Sequence, residues 1–540
     1  MTDPPGHERV PPGGADEGTP ARPLPRRARL LACAVLAALA LGAWTEGYRT
    51  AFTSLAWPDA CDYAQLGRQI ARGEGMSSLQ AFPYVLSWLR EHGMPTTAPW
   101  PNAVRFVLPP LERAVSFSIL GTGDLAAIVP DAVFFVATVV LGFLLGSRLA
   151  GPAAGWAAAV VLATGPTALA YALSGLSETG AGFLVLAVAA ALVAVVDRRG
   201  GHDAPSDLAR ASLLGATLGL AYLQRSNLVV GMLPCLAVIV AGGPGPWRRR
   251  LVLAAACAAS ALVVALPWLV RNAVVFGSPT FSLNTHRMVS IALLRSDPFY
   301  QFQLVDPGRI VADHLADLLP RLHPAWLDSQ WRDMFGPELW WFLPALLVVV
   351  PAPMPKALGA VRWYVFGSLL LNWLATTPID TVPRYYQPFA PVAVVLVLAC
   401  AVRLVARLHA RLAPALVAAA CAVVAASWLV AGPGAAVEKR DPTLARWDAW
   451  IAGDVPRDGI VASDQSWFVA WQGDRPSVRF YGDVAQLAEL ERTYAPVAAV
   501  WLSRPSSTRF ARSLAASPAG RRWTLSRVTP DGISLWLPAP

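Results

Sequence analysis

Asp59 and Asp62 lie three residues apart in WPDACDYAQLGRQIARGEG (Trp57–Gly75), with Tyr63 beside them. A carboxylate so placed can take the proton of an acceptor hydroxyl. Glu178, in YALSGLSETG, offers a further acid. Arg105, Arg271 (in ALPWLVRNAVVFGSP) and Arg384, followed by Tyr385 (in DTVPRYYQPFAP), supply guanidinium forks. A fork of this kind binds phosphate oxygens in pairs. Gathered at one membrane face, such acids and arginines suit a substrate that is a lipid phosphate. Each residue also has a purely structural reading. Asp is a common helix N-cap, an acid such as Glu178 stabilises a helix N-terminus, and arginines near span ends snorkel to the interface.

The elements that must position these groups are membrane spans. Of the 540 residues, 55% are hydrophobic and 15% charged, against about 25% charged in soluble domains. Mean hydropathy is +0.45. Apolar stretches run near 30–44, 125–147, 152–171, 178–196, 208–223, 227–242, 250–270, 338–352, 361–377, 387–406 and 412–431. Most approach the 17–25 residues of a bilayer crossing, so the chain reads as a polytopic α-helical membrane protein with about eleven spans. Arg225 interrupts the 208–242 region, and Asp131 falls about two turns into the second span. Charges inside a membrane usually face a cavity.

The net charge of +9 is assigned to cytoplasmic loops rather than to nucleic acid. With the N-terminus cytoplasmic, Arg148, Arg198, Arg199, Arg248–Arg250, Lys356, Arg403, Arg407 and Arg411 all fall inside. The external connections then carry Asp59, Asp62, Tyr63, Arg105, Glu112, Arg113, Glu178, Arg225, Arg271, Asp380 and Arg384. The expected organisation is a disordered cytoplasmic tail, 1–28, followed by a transmembrane unit, 29–436, with external loops 49–124 and 271–337. An extracytoplasmic α/β domain, 437–540, completes it. In that domain Gly459–Ser463 and Val497–Ser503 read as buried strands, Ala485–Tyr494 as a helix, and Leu444, Trp447, Trp450 and Ile451 as one helix face. Leu66 and Ile70, opposite Arg68 and Arg72, suggest that Trp57–Gly75 ends in an amphipathic helix lying along the membrane interface.

Five of the six cysteines lie in apolar runs and only Cys61 in a loop, which argues against a disulfide framework. His286, His314 and His323 lack metal-site spacing. The sequence specifies no cofactor; the site acids are compatible with a divalent cation without specifying one.

The pattern D-x-x-x-Y-x9-G-x-G, formed by Asp59, Tyr63, Gly73 and Gly75, resembles the first external loop of the GT-C glycosyltransferases. The nearest resemblance is to the protein O-mannosyltransferase-like group (glycosyltransferase family 39 type), which includes aminoarabinose and lipopolysaccharide core transferases. RFVLPPLERAVSFSILG (Arg105–Gly121) is similar to that group's R-x-P-L-x-P segment, although Val107 and Pro109 depart from the usual spacing. Gly146–Gly180 is similar to its second and third spans. LPWLVRNAVVFGSP and PRYYQPFAP resemble its P-W-x-x-R-N-x-x-x-F-G and R-Y-x-x-P-x-x-P signatures. Together these cover most of Trp44–Val405. The family often follows its loop acid with a second acid, whereas Ala60 follows Asp59 here and Asp62 comes three later. Spacing to Tyr63 favours Asp59.

The resemblance implies a GT-C fold and transfer of a sugar from a polyprenyl-phosphate donor to a glycan, lipid or protein acceptor of the cell envelope. It implies roles for Asp59 as the acceptor-activating base, Glu178 as the second acid, and Arg384, assisted by Arg271, at the donor phosphate. Asp62, Tyr63, Arg105 and Tyr385 would line the substrate site. The implied location is a bacterial plasma membrane, with the C-terminus extracytoplasmic. Two other classes compete. A flippase or transporter of lipid-linked saccharides would leave the long acid-bearing loop unexplained and usually carries internal repeats, of which the sequence shows none. An O-antigen ligase or polymerase would work mainly through its late external loop.

Overall fold

The computed structural model describes residues 24–197, 204–294, 298–304, 306–314, 316, 354–376, 383–409, 413–431, 437, 447–517 and 522–539. The apolar run Leu30–Trp44 becomes helix α1 (Arg26–Ala51), whose stripe Leu36, Ala40, Trp44 and Gly47 is buried. Leu30, Leu31 and Leu39 on the same helix stay exposed, as suits a surface bathed in lipid tails. The Trp44 indole N–H donates to Ala172 O at 2.9 Å and ties α1 into the bundle.

The connection after α1 folds into α2 (Pro58–Ala71), β1 (Ser77–Ser78), β2 (Gln80–Ala81), α3 (Pro83–Glu91), β3 (Trp100–Pro101) and α4 (Leu108–Leu120). Next come α5 (Asp124–Ala150), α6 (Pro152–Thr164), α7 (Pro166–Ala172), α8 (Glu178–Val196), α9 (Ala204–Gln224), α10 (Met232–Gly242), α11 (Trp247–Phe276) and α12 (Asn284–Leu294). Pro166 follows a 60° bend between α6 and α7, since proline cannot continue the hydrogen-bond ladder of the preceding helix. Helices α9 and α11 meet backbone to backbone: a methyl group added at Gly215 would stand 2.0 Å from Cys257 O. Small residues permit that approach where no hydrophobic effect drives helices together.

Among the described residues, five helices are long and apolar enough to cross a membrane, or six if the bent α6–α7 pair is one span. They are α1, α5, α8, α11 and Gln387–Leu408. The protein is therefore a multi-pass helical membrane protein. Helices also stand at the other expected positions, α9, α10, Lys356–Thr376 and Ala413–Ala431. The expected span 338–352 lies outside the described residues, as do His323, Asp380, Leu444 and the tail up to residue 23.

The C-terminal segment forms a mixed sheet from β4 (Ile460–Ser463), β5 (Ser477–Arg479), β6 (Val497–Leu502), β7 (Trp523–Val528) and β8 (Ser534–Pro538), in the order β2-β5-β4-β6-β8-β7. Strands β2, β5, β4 and β6 run parallel, and β8 and β7 join antiparallel. The outer strand, β2, comes from the connection after α1, almost 400 residues earlier. That loop also supplies Phe82, Tyr84, Trp88 and Trp100 to the core under one sheet face, beside Ile460, Val500 and Phe510. The C-terminal sheet therefore shares its core with the first loop.

This corrects the expectation of an interfacial amphipathic helix at Trp57–Gly75. Residues 60–69 of α2 are all buried. Arg68 donates to the carbonyls of Trp471 (2.7 Å) and Ala470 (2.5 Å), at the C-terminal end of helix Ser466–Gln472. It also pairs with Asp474 at 2.9 Å. A guanidinium suits such orphan carbonyls, where the helix dipole is negative. The charges on α2 that look solvent-facing in sequence thus clamp the loop to the C-terminal domain.

Candidate active site

Four chain segments converge on one ion-pair network. Proline at N1 starts α2, and Asp59 occupies its first turn. Arg105 sits just before α4, and its fork spans both aspartates: Nη2 to Asp59 Oδ1 at 2.6 Å and Nε to Asp62 Oδ2 at 2.6 Å. Arg384, in the short turn Pro383–Tyr385, bridges two acids: Nη1 to Asp59 Oδ2 at 2.9 Å and Nε to Glu178 Oε1 at 2.5 Å. Arg225 reaches the same Glu178 oxygen at 2.6 Å and Ser177 Oγ at 3.3 Å. Tyr63 OH donates to Ser177 Oγ at 3.5 Å. The Tyr63 ring lies between two guanidinium carbons, 5.5 Å from that of Arg105 and 5.9 Å from that of Arg113.

Local structure explains each placement. Gly175 takes φ +75°, and a methyl group there would come within 2.7 Å of Leu55 Cδ2. Only glycine suits this tight left-handed turn, which presents Glu178 at the first position of α8. Arg225 is the residue at which α9 stops, extended before a 3₁₀ turn, Ser226–Gly231. What reads in sequence as an interrupted span is the break that delivers a charge to Glu178.

A buried support stands behind the network. Arg113 is 1% exposed and donates to both oxygens of Asp131, at 3.0 and 2.9 Å. It also donates to the carbonyls of Gly175 and Leu176, and to Glu112 at 2.7 Å. Removing one partner of such a buried pair costs about 3–5 kcal/mol, while replacing both with apolar groups is often neutral. Arg113→Met is therefore expected to lower the melting temperature of detergent-purified protein sharply, and Arg113→Met with Asp131→Leu to recover most of it. Burial pushes the Glu112 carboxyl up to about 7 against the pull of Arg113. Its folded value exceeds the unfolded ~4.3, so its contribution to stability is full below that pH and lost as pH rises through 7. Melting scans across pH 4–8 are expected to show this loss, and Glu112→Gln to flatten it.

Burial raises the Asp59 carboxyl, but Arg105, Arg384 and Arg287 outweigh it and hold the group well below the usual carboxylate range. Asp59 keeps 23% side-chain exposure, against 6% for Asp62. Glu178 Oε2 is buried with no hydrogen-bond partner among the described residues.

Comparison with solved structures gives the same architecture. Over 94% of this chain and 98% of the other, the fold superposes on ArnT from Cupriavidus metallidurans in the apo state, with TM-score 0.59 and 14% identity. The same protein bound to undecaprenyl phosphate gives TM-score 0.56 and 13% identity, over 95% and 98% of the two chains. The Archaeoglobus fulgidus oligosaccharyltransferase in the apo form gives 0.61 and 12%, over 95% and 75%. Residues 109–270 match the family described as dolichyl-phosphate-mannose-protein mannosyltransferase. The chain therefore has a GT-C-like fold. No curated protein matches the sequence.

Within this GT-C frame, the network gathers Asp59, Asp62, Tyr63, Arg105, Glu178 and Arg384. It leaves out two residues expected at the site. Arg271 Nη1 donates to Asn102 O at 2.9 Å and to Asn272 Oδ1 at 3.0 Å, and its guanidinium packs on Trp268 and Phe276. It braces the first loop and makes no ion pair with the site acids. The Tyr385 hydroxyl points to Met288 Sδ at 3.7 Å, while its carbonyl accepts from Asn227 and Asn372. Two partners lie outside the site residues expected from sequence: Arg225, whose charge within a span points only to a cavity, and Arg287 on α12, whose charge acts on Asp59. Among the described residues, no three His, Cys, Asp or Glu side chains are grouped to hold a metal ion; Asp59, Asp62 and Glu178 face guanidiniums instead.

Proposed function

We propose that this GT-C protein transfers one sugar from a polyprenyl-phosphate donor to a glycan, lipid or protein acceptor of the cell envelope. The observation that carries this reading is Arg384 bridging Asp59 and Glu178 where the first external loop meets the bundle. The undecaprenyl phosphate bound by the similar ArnT supports the donor class. The reading includes about eleven spans over 29–436, a cytoplasmic N-terminus, and the 437–540 segment on the external side of a bacterial plasma membrane.

In the mechanism, donor phosphate draws the Arg384 guanidinium from Asp59 Oδ2, since phosphate offers a fork stronger bonds than one carboxylate oxygen. Losing that cation raises the proton affinity of Asp59. The acceptor hydroxyl then gives its proton to Asp59 as its oxygen attacks the anomeric carbon. The bond from that carbon to the phosphate oxygen breaks in the same displacement, inverting the centre. The lipid phosphate leaves with the electron pair, its charge met by Arg384 and Arg225, which Glu178 anchors. Glu178 Oε2 is placed to accept from a sugar hydroxyl. Asp62 and Gln65, 3.1 Å apart, hold Arg105 in register behind Asp59.

A lipid and glycan comparison between a deletion strain and its parent tests the function and identifies the acceptor. One envelope glycan, glycolipid or glycoprotein should lose a single sugar type. Accumulation of an intact lipid-linked saccharide with no change in any acceptor would instead indicate a transporter, and an unchanged profile would sink the proposal.

A further inference from the structure

A cleft of about 1140 Å³ opens between α3, residues 300–303 and the C-terminal domain, and none of Asp59, Glu178 or Arg384 lines it. Its volume exceeds the ~300–1,000 Å³ usual for a small-molecule pocket, so its dimensions suit an extended ligand. Aromatic rings form two of its surfaces. Tyr300 and Tyr481 lie with ring centroids 4.9 Å apart, and Phe302 stacks on Tyr494 at 5.1 Å. Tyr481 is 38% exposed. Between them stand planar polar groups: Glu91, Asp483 and Glu489, with Gln301, Gln303 and Gln486. Arg90 and Arg509 balance much of that acidity, and each also covers a ring, at 5.9 Å from Tyr494 and 5.0 Å from Tyr481.

The exposed part of the Tyr481 ring offers apolar surface to the C–H faces of a pyranose or furanose, and carboxylates and amides bind its vicinal hydroxyls in pairs. The mixed charge suits neither a strongly anionic nor a strongly cationic ligand. We infer that this cleft binds a neutral oligosaccharide, the non-reacting part of a glycan acceptor. The inference rests on the glycosyltransferase reading and narrows its acceptor to a glycan.

Packed side chains also lead from the cleft to Arg287. Arg479 donates to Tyr300 OH at 2.6 Å, packs 3.9 Å from the Trp467 ring and lies 5.8 Å from Phe299. Arg287 packs on the same Phe299 at 4.2 Å, and its charge acts on Asp59. A glycan seated on Tyr300 therefore meets a packed chain of rings and guanidiniums that ends at Arg287. Remote contacts of this kind position a reacting hydroxyl.

The test is saturation-transfer NMR on purified full-length protein in nanodiscs, with linear hexamers of mannose, arabinose and glucose as probes. At least one hexamer should bind, with affinity at least tenfold weaker in Tyr481→Ala and reduced in Glu489→Gln. Asp59→Asn should bind it as well as the unaltered protein does. Binding by none of the hexamers, or undiminished binding in both cleft variants, would overturn the inference. So would competition by unglycosylated peptides in their place. The readout needs no turnover, so failure of the transferase reading would leave hexamer binding intact, and failure of the cleft would leave donor cleavage intact.

Discussion

Asp59→Asn is expected to lower kcat for sugar transfer by about 10²–10⁴, the usual worth of a positioned general base, while the protein still inserts and folds. The amide keeps the shape of the carboxylate but cannot take a proton from the acceptor. Folding should survive because Arg105 retains Asp62 and Arg384 retains Glu178. The pH profile carries a second signature. In the resting protein Arg105, Arg384 and Arg287 hold Asp59 ionised far into acid. Its contribution to stability is present above the unfolded value of ~3.9 and is lost only as pH falls through the lower folded one. Acid inactivation of resting protein above pH 5 is therefore not expected from this group. Asp62→Asn separates the neighbours. Asp62 is more buried and touches Arg105 and Gln65 but not Arg384, so its loss should cost less in kcat. Equal losses at both positions, measured as initial transfer rates, would remove the distinction drawn between them.

Arg384→Met carries the second-largest expected effect, a fall in transfer of about 10²–10³, typical for loss of one charge-stabilising donor. Arg384 is, among the described residues, the one paired with both Asp59 and Glu178, and it is the proposed contact to the leaving phosphate. Without it Asp59 keeps Arg105 and Glu178 keeps Arg225, so each acid remains paired and the stability loss should be modest. Rate and pH dependence should change together. Removing the cation raises the Asp59 carboxyl, so the acid limb of the rate profile should move to higher pH. Arg384→Lys restores charge but not the two-pronged geometry and should recover only part of the rate. A variant that loses donor affinity alone, with kcat and acid limb unchanged, would confine Arg384 to binding.

Much of this site was legible because topology does work that contact prediction cannot. Asp59, Glu178 and Arg384 are up to 325 positions apart, yet counting spans places all three on one side, and local chemistry makes acids and arginines obvious partners. Other features leave little trace in sequence. Arg225 reads in sequence as a charge facing a cavity but with no partner named, because only the fold shows that α9 stops there to reach Glu178. Arg68 looks wet because residues four apart share a helix face, and its true partners are carbonyls some 400 positions away. Strand β2 is two residues long; no periodicity exists over two residues, and its pairing depends on β5 being there to receive it. Arg271 and Tyr385 stand within motifs that resemble the family, but motif membership does not fix where a side chain points. Here one braces the loop through Asn102 and the other turns to Met288.

Transfer from a polyprenyl-phosphate sugar yields two products, and both can be followed in one sample. Purified protein is incubated with donor labelled in sugar and lipid, together with envelope extract as acceptor. Polyprenyl phosphate should be released in a one-to-one ratio with sugar bound to acceptor, and both should vanish in Asp59→Asn. Sugar incorporation without polyprenyl phosphate release, or equal release by Asp59→Asn, would contradict the account.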